Sequence, residues 1–145
     1  MLSVDEFNEL KANLDHLIEV DLLNDIKHLS TKTAENLCDL PILLHKYLSA
    51  HKKTLRELYE VESALEAKHS ELFVYYKEEY DAMMLKEREI PQYIKGDEEY
   101  ARLSSMRNEF KLLGDSLEKG IAILRDINWV LKNRLDYQRF NSTDL

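Results

Sequence analysis

The most constraining feature of this chain lies in its last third, where Leu103, Phe110, Leu117, Leu124 and Leu131 recur at seven-residue steps. A second series, Met106, Leu113, Gly120, Ile127 and Arg134, follows three residues behind. Positions three and four apart share one side of an α-helix, so the pattern predicts a continuous helix with one apolar stripe. Tyr100, Ile121 and Leu135 widen that stripe. Asp97, Glu98 and Glu99 mark its start, because the positive end of the helix dipole favours acids. Roughly 40 helical residues would extend about 60 Å, and a stripe of that length needs a partner.

The preceding segment can supply one. Pro41 lacks an N–H and fits a first helical turn, so a second long helix is expected to begin near it. From there Leu44, Leu48, Leu55, Leu58, Leu65, Leu72, Tyr76 and Met83 repeat at helical intervals, and neither glycine nor proline interrupts them before Pro91. Residues 86–96, KEREIPQYIKG, hold the second proline and the first glycine and read as the turn between the two helices. Folding back there would make a long antiparallel hairpin over residues 41–140.

Ahead of it, Ser3 and Glu6 have capping-box spacing, and Phe7, Leu10, Leu14, Leu17 and Ile18 give the helix that follows one apolar face. Asp21 could cap a short helix over Leu22, Leu23 and Ile26, and the polar residues 30–33 then read as a break. With only three glycines and two prolines, the expected fold class is all-α. A single helical domain over 1–145 is expected, with an N-terminal helical segment at 1–30 and the hairpin behind it.

Two paired rods enclose little interior per residue, so apolar surface left outside is best covered by other copies of the chain. An oligomer is therefore expected, with Leu103, Phe110, Leu117, Leu124, Trp129 and Leu131 as candidate interface residues. Gly114 and Gly120 each cost about 1 kcal/mol inside a helix, and mark either close backbone approach or a bend.

Little in the sequence suggests catalysis. The glycines at 96, 114 and 120 make no phosphate loop, and five histidines with one cysteine reach no metal-ligand spacing. No nucleophile and base can be paired, so no catalytic residue, metal ligand or cofactor is nominated. His45, His51 and His69 are expected on helix surfaces or at an interface, and Cys38, between Leu37 and Leu40, as a buried, inert thiol. No leader and no apolar run near 18 residues is present, so a soluble, intracellular chain that does not enter a membrane is expected.

Charge distribution is more informative. The formal net charge is −8, yet residues 1–26 carry seven acids against Lys11, and residues 57–81 carry eight against Lys68 and Lys77. Between these blocks lies LPILLHKYLSAHKKTLREL, residues 40–58, with no carboxylate from 40 to 56. Lys46, Lys53 and Arg56 stand at seven- and three-residue steps with Lys52 adjacent, making a cationic ridge that either tracks phosphates or pairs with helical acids such as Glu57 and Glu60. A second cluster, residues 119–139, has five cations and two acids, with Trp129, Tyr137 and Phe140 in or beside it. Aromatics beside cations suit stacking on unpaired bases, or burial at an interface.

Together these segments resemble the UvsY family of recombination mediators from T-even-like bacteriophages. Pro41, Leu44, His45, Lys46 and Tyr47 are similar to a family pattern with a leucine-rich basic helix behind it. LKEREIPQYIKGDEEYARL, residues 85–103, and LKNRLDYQRF, residues 131–140, look like the family's turn region and closing block. The likeness spans about residues 31 to 140. It implies a small helical protein that forms a ring-like homo-oligomer, binds single-stranded DNA and helps a phage recombinase displace the phage single-strand binding protein, without hydrolysis of its own, in the host cytoplasm. It also implies DNA contact at Lys46, Lys86, Arg88, Lys132 and Arg139. Lys52, Lys53 and Arg56 are inferred from this sequence, with Lys77 a further candidate near the turn. One departure stands out: Tyr75-Tyr76 is kept, but residues 70–74, Ser-Glu-Leu-Phe-Val, replace the basic residues expected before it. A structural coiled-coil scaffold or adaptor without DNA binding is the competing reading, and accounts better for the acidity.

Overall fold

The structure, a computed structural model, describes residues 1–29, 33–78 and 87–143. The described residues are all-α, without strands. Helix α1 spans Val4–His16, a π-helical segment covers Leu17–Asp21, and α2 spans Leu22–Leu29. Helix α3 spans Thr33–Glu78, and a 3-10 turn at Glu87–Glu89 leads into α4, Ile90–Gly96, and α5, Glu98–Thr143. No helix among the described residues is long and apolar enough to cross a membrane. Leu55–Lys111 form one compact unit, and Leu2–Thr54 with Leu112–Leu145 form a second, terminal unit.

In the terminal unit the first helix starts as its capping box requires. Ser3 Oγ accepts from the Glu6 amide at 3.2 Å, while Glu6 Oε2 accepts from the Ser3 amide at 2.7 Å. These hydrogen bonds hold the Glu6 carboxyl below the usual carboxylate range. Asp21 does not cap a new helix, because the chain stays helical through it. The buried residues of the N-terminal segment are Leu14, Leu22 and Leu29, spaced by eight and then seven. One residue beyond a heptad would turn the second leucine away by about 100°, and the wider π turn between them absorbs it.

Helix α3 begins at Thr33, eight residues before the expected start, and carries Pro41 in its interior. The pyrrolidine is exposed. Its buried seam in this unit is Asn36, Leu40, Tyr47 and Thr54, whereas Leu48 and Leu55 face outward. Each buried polar group is satisfied. Asn36 Nδ2 donates to the carbonyls of Leu29 at 2.8 Å and His28 at 3.3 Å, closing the C-terminal end of α2. Thr54 Oγ1 donates to the Ala50 carbonyl at 2.9 Å, and Tyr47 Oη donates to Asp25 Oδ2 at 2.6 Å. Cys38 is exposed, contrary to its expected burial, because the seam passes through Asn36 and Leu40 on either side of it.

Helix α5 follows its heptads. Leu117, Leu124 and Leu131 are buried in the terminal unit together with Leu113 and Ile121. Gly120 marks a close approach within the chain: an ideal Cβ there would lie 2.5 Å from Leu22 Cδ2. Gly114 is roomier, with the same test atom 3.9 Å from Thr54 Cγ2. Both lie inside an uninterrupted helix, so neither marks a break.

In the 55–111 unit, Val61, Leu65 and Leu72 of α3, Ile90 and Ile94 of α4, and Leu103, Met106 and Phe110 of α5 are buried. The expected turn at 86–96 is therefore helical for most of its length, because Ile90 and Ile94 present an i, i+4 apolar pair that packs around Leu72, Phe73, Tyr76 and Tyr100. Pro91 sits in the first turn of α4, where its missing N–H has no partner to lose. Asp97 Oδ1 accepts from the Tyr100 amide at 2.9 Å and starts α5. Lys68 pairs with Glu99 at 3.1 Å, and Glu62 with Lys111 at 3.9 Å.

Candidate nucleic-acid interface

The carboxylate-free run 40–56 falls wholly on α3, and the fold divides its cations into two kinds. Lys46 lies over the Tyr47 ring at 5.3 Å and pairs with Asp25 at 3.4 Å, so its charge is partly neutralised by the N-terminal segment. Tyr47 is enclosed in the same contact. Burial, with the Asp25 hydrogen bond and charge added, pushes its hydroxyl well above the ordinary tyrosine range. Lys52 and Lys53 are exposed and make no ion pair among the described residues. At about 100° per residue they stand roughly 160° and 100° around the helix from buried Thr54, facing away from the seam. His45 is exposed and His51 half-buried on the same turns.

In the 55–111 unit, Arg56 is exposed and likewise unpaired among the described residues. One turn on stands Tyr59, 71% exposed, an aromatic that its helical spacing alone does not distinguish from core. Lys77 is exposed, 3.9 Å from Glu87 and 5.8 Å from the Phe73 ring centroid, and Arg88 is exposed. Lys86 and Met83 lie outside the described residues. Tyr75 and Tyr76 meet edge to face at 5.3 Å, and Tyr93 lies 5.6 Å from Tyr76, so the paired tyrosines belong to an aromatic cluster. His69 is exposed, its ring 6.2 Å from that of Tyr100.

At the end of α5, Lys132 and Arg139 are exposed. Trp129, Tyr137 and Phe140 are exposed as well, with Trp129 and Tyr137 lining an open hollow of about 350 Å³ beside Arg134. Of the six interface candidates, only Trp129 therefore presents surface. Leu103, Phe110, Leu117, Leu124 and Leu131 are at most 2% exposed, because a single chain already covers the stripe they form.

Chemically, the exposed surface offers cations such as Lys52, Lys53 and Arg56, unpaired among the described residues, and exposed aromatic rings. Among the described residues no three His, Cys, Asp or Glu side chains converge as metal ligands. Lysines clear of carboxylates bind phosphate oxygens by displacing condensed counterions, and exposed aromatics offer faces to unpaired bases. Residues 15–144 match the model of a family described as "Recombination, repair and ssDNA binding protein UvsY". No curated protein and no solved structure matches the chain.

Proposed function

Because the chain belongs to the UvsY family of recombination, repair and single-stranded DNA-binding proteins, we propose that it is a non-catalytic mediator that helps a phage recombinase load onto DNA covered by single-strand binding protein. Its partners are single-stranded DNA, those two proteins and further copies of itself. The family match carries this reading, and the outward, unpaired Lys52, Lys53 and Arg56 support it.

The ion pairs Lys68–Glu99 and Glu62–Lys111 support an antiparallel hairpin, since numbers fall along α3 as they rise along α5. Exposed Trp129, Val130, Tyr137 and Phe140 support self-association through α5 in place of the buried leucines. In a ring-like oligomer each copy adds a weak cationic patch, and the sum becomes a multivalent path for a flexible strand. Lys132 and Arg139, near the exposed aromatics, and Arg88 with Lys77 are secondary candidates for phosphate contact. Lys46 contributes least, being engaged by Asp25.

The net charge of −8 favours the scaffold alternative, and one experiment separates the two. Fluorescence anisotropy with a labelled oligonucleotide is expected to show binding that falls steeply as salt rises. The triple variant Lys52→Glu, Lys53→Glu, Arg56→Glu is expected to abolish it. No wild-type binding even in dilute buffer would leave the scaffold.

A further inference from the structure

A second carboxylate-free stretch runs from residue 100 to residue 108, YARLSSMRN, at the start of α5. In the 55–111 unit it joins the end of α4 in an open hollow of about 450 Å³, lined by Lys95, Tyr100, Ser104, Ser105, Arg107 and Asn108. Every polar side chain there can donate, and no carboxylate lines it. Lys95 and Arg107 make no ion pair among the described residues, although an acidic block at 57–81 belongs to the same unit. Glu66 lines a separate hollow against Arg107 without pairing to it.

Arg107 supplies the observation that points to a ligand. Its Nε is buried and has no hydrogen-bond partner among the described residues. Buried donors are nearly always satisfied, so the orphaned Nε leaves Arg107 short of one acceptor. The acceptor that suits a lysine, an arginine, three hydroxyls and an amide together is a tetrahedral oxyanion.

We propose that this hollow binds a phosphodiester of the single strand, with Lys95 and Arg107 as its charged contacts and Ser104, Ser105 and Asn108 as neutral donors. The assignment rests on the DNA-binding reading above and adds to it a phosphate subsite formed by residues outside the 46–56 run. Ser104 and Ser105 sit one turn before Asn108, so their side chains fall on neighbouring positions of α5 and converge with Lys95 from α4.

The test uses the full chain with an oligothymidylate, and with the same oligomer carrying a neutral methylphosphonate backbone. Lys95 is exposed, so Lys95→Ala removes a charge without disturbing packing. Arg107→Lys keeps the charge but loses the planar donor set, and circular dichroism checks its fold. Each variant is expected to bind oligothymidylate several-fold more weakly at about 50 mM salt. For Lys95→Ala the plot of log affinity against log salt should flatten by about 0.7. Neither variant should differ from wild type on the neutral backbone. Unchanged affinity and slope in both variants, with wild type still binding, overturn the subsite and leave the function standing. Equal losses on the neutral backbone overturn its assignment to phosphate. A wild type that ignores DNA removes both.

Discussion

Gly114 and Gly120 lie six residues apart in α5, yet replacing each by alanine should have opposite effects. Alanine gains about 1 kcal/mol over glycine inside a helix. At 114 nothing opposes that gain, because the new Cβ would meet Thr54 Cγ2 at an ordinary 3.9 Å. Gly114→Ala is therefore expected to stabilise by about 0.5–1 kcal/mol. At 120 the Cβ would stand 2.5 Å from Leu22 Cδ2, more than 1 Å inside normal carbon contact. Leu22 is only 7% exposed, so it cannot swing freely into solvent. Forcing it aside should cost about 1–3 kcal/mol, leaving Gly120→Ala neutral to about 2 kcal/mol destabilising. Trimming the neighbour should reverse the sign: in a Leu22→Ala background, Gly120→Ala is expected to stabilise by about 1 kcal/mol. The double-mutant cycle then yields a coupling of about 1–3 kcal/mol. Urea unfolding followed by far-UV circular dichroism, at one protein concentration because self-association would shift the midpoint, reads all four corners. If Gly120→Ala stabilises as much as Gly114→Ala does, Leu22 does not pack on Gly120.

Two further outcomes follow from α3. The Tyr47 hydroxyl is raised above its ordinary value of about 10, so its contribution is complete below that pH. As pH rises further the unfolded chain releases this proton before the native one does, and stability falls by up to about 1.4 kcal/mol per pH unit. Tyr47→Phe should flatten the alkaline limb of the stability profile by that one proton and cost roughly 1–3 kcal/mol at neutral pH through the lost bond to Asp25; an unchanged limb would refute the burial of the Tyr47 hydroxyl against Asp25. Pro41 denies the Leu37 carbonyl an N–H, and its ring is exposed. Pro41→Ala should stabilise by roughly 1–3 kcal/mol in the same urea assay, and a loss would mean that the proline is needed where it stands.

How legible each helix was depended on what its inward positions are made of. The α5 stripe was readable because Leu103, Phe110, Leu117, Leu124 and Leu131 are all apolar by type, and all are buried. The α3 seam was not, because Asn36, Tyr47 and Thr54 are buried through hydrogen bonds that periodicity cannot show. A search for leucines picks Leu48 and Leu55 instead, both exposed. Asp21 resembles a cap, but a π turn carrying one extra residue leaves no cap signal in sequence. The candidate site was half legible. Lys52, Lys53 and Arg56 emerged from local charge alone, while the engagement of Lys46 depends on Asp25, 21 residues away. Lys95 and Arg107 come from different helices and gain meaning only in the fold. The absence of acids from 100 to 108 was the one available signal.

That second acid-free stretch bears on how a chain of charge −8 can hold a polyanion. Several acids are already engaged: Asp25 by Lys46, Glu99 by Lys68, Glu62 by Lys111 and Glu87 by Lys77. The engaging lysines have those carboxylates close in space, and the cations left unpaired among the described residues include Lys52, Lys53 and Arg56 of the first acid-free stretch and Arg107 of the second. At physiological ionic strength a phosphate responds to charges within about 8 Å, so unengaged acids further off barely reach it. Net charge then governs how strands and copies approach from a distance. Affinity is governed by which cations the fold leaves without an acid, and Lys52, Lys53, Arg56 and Arg107 among them lie where the sequence omits carboxylates.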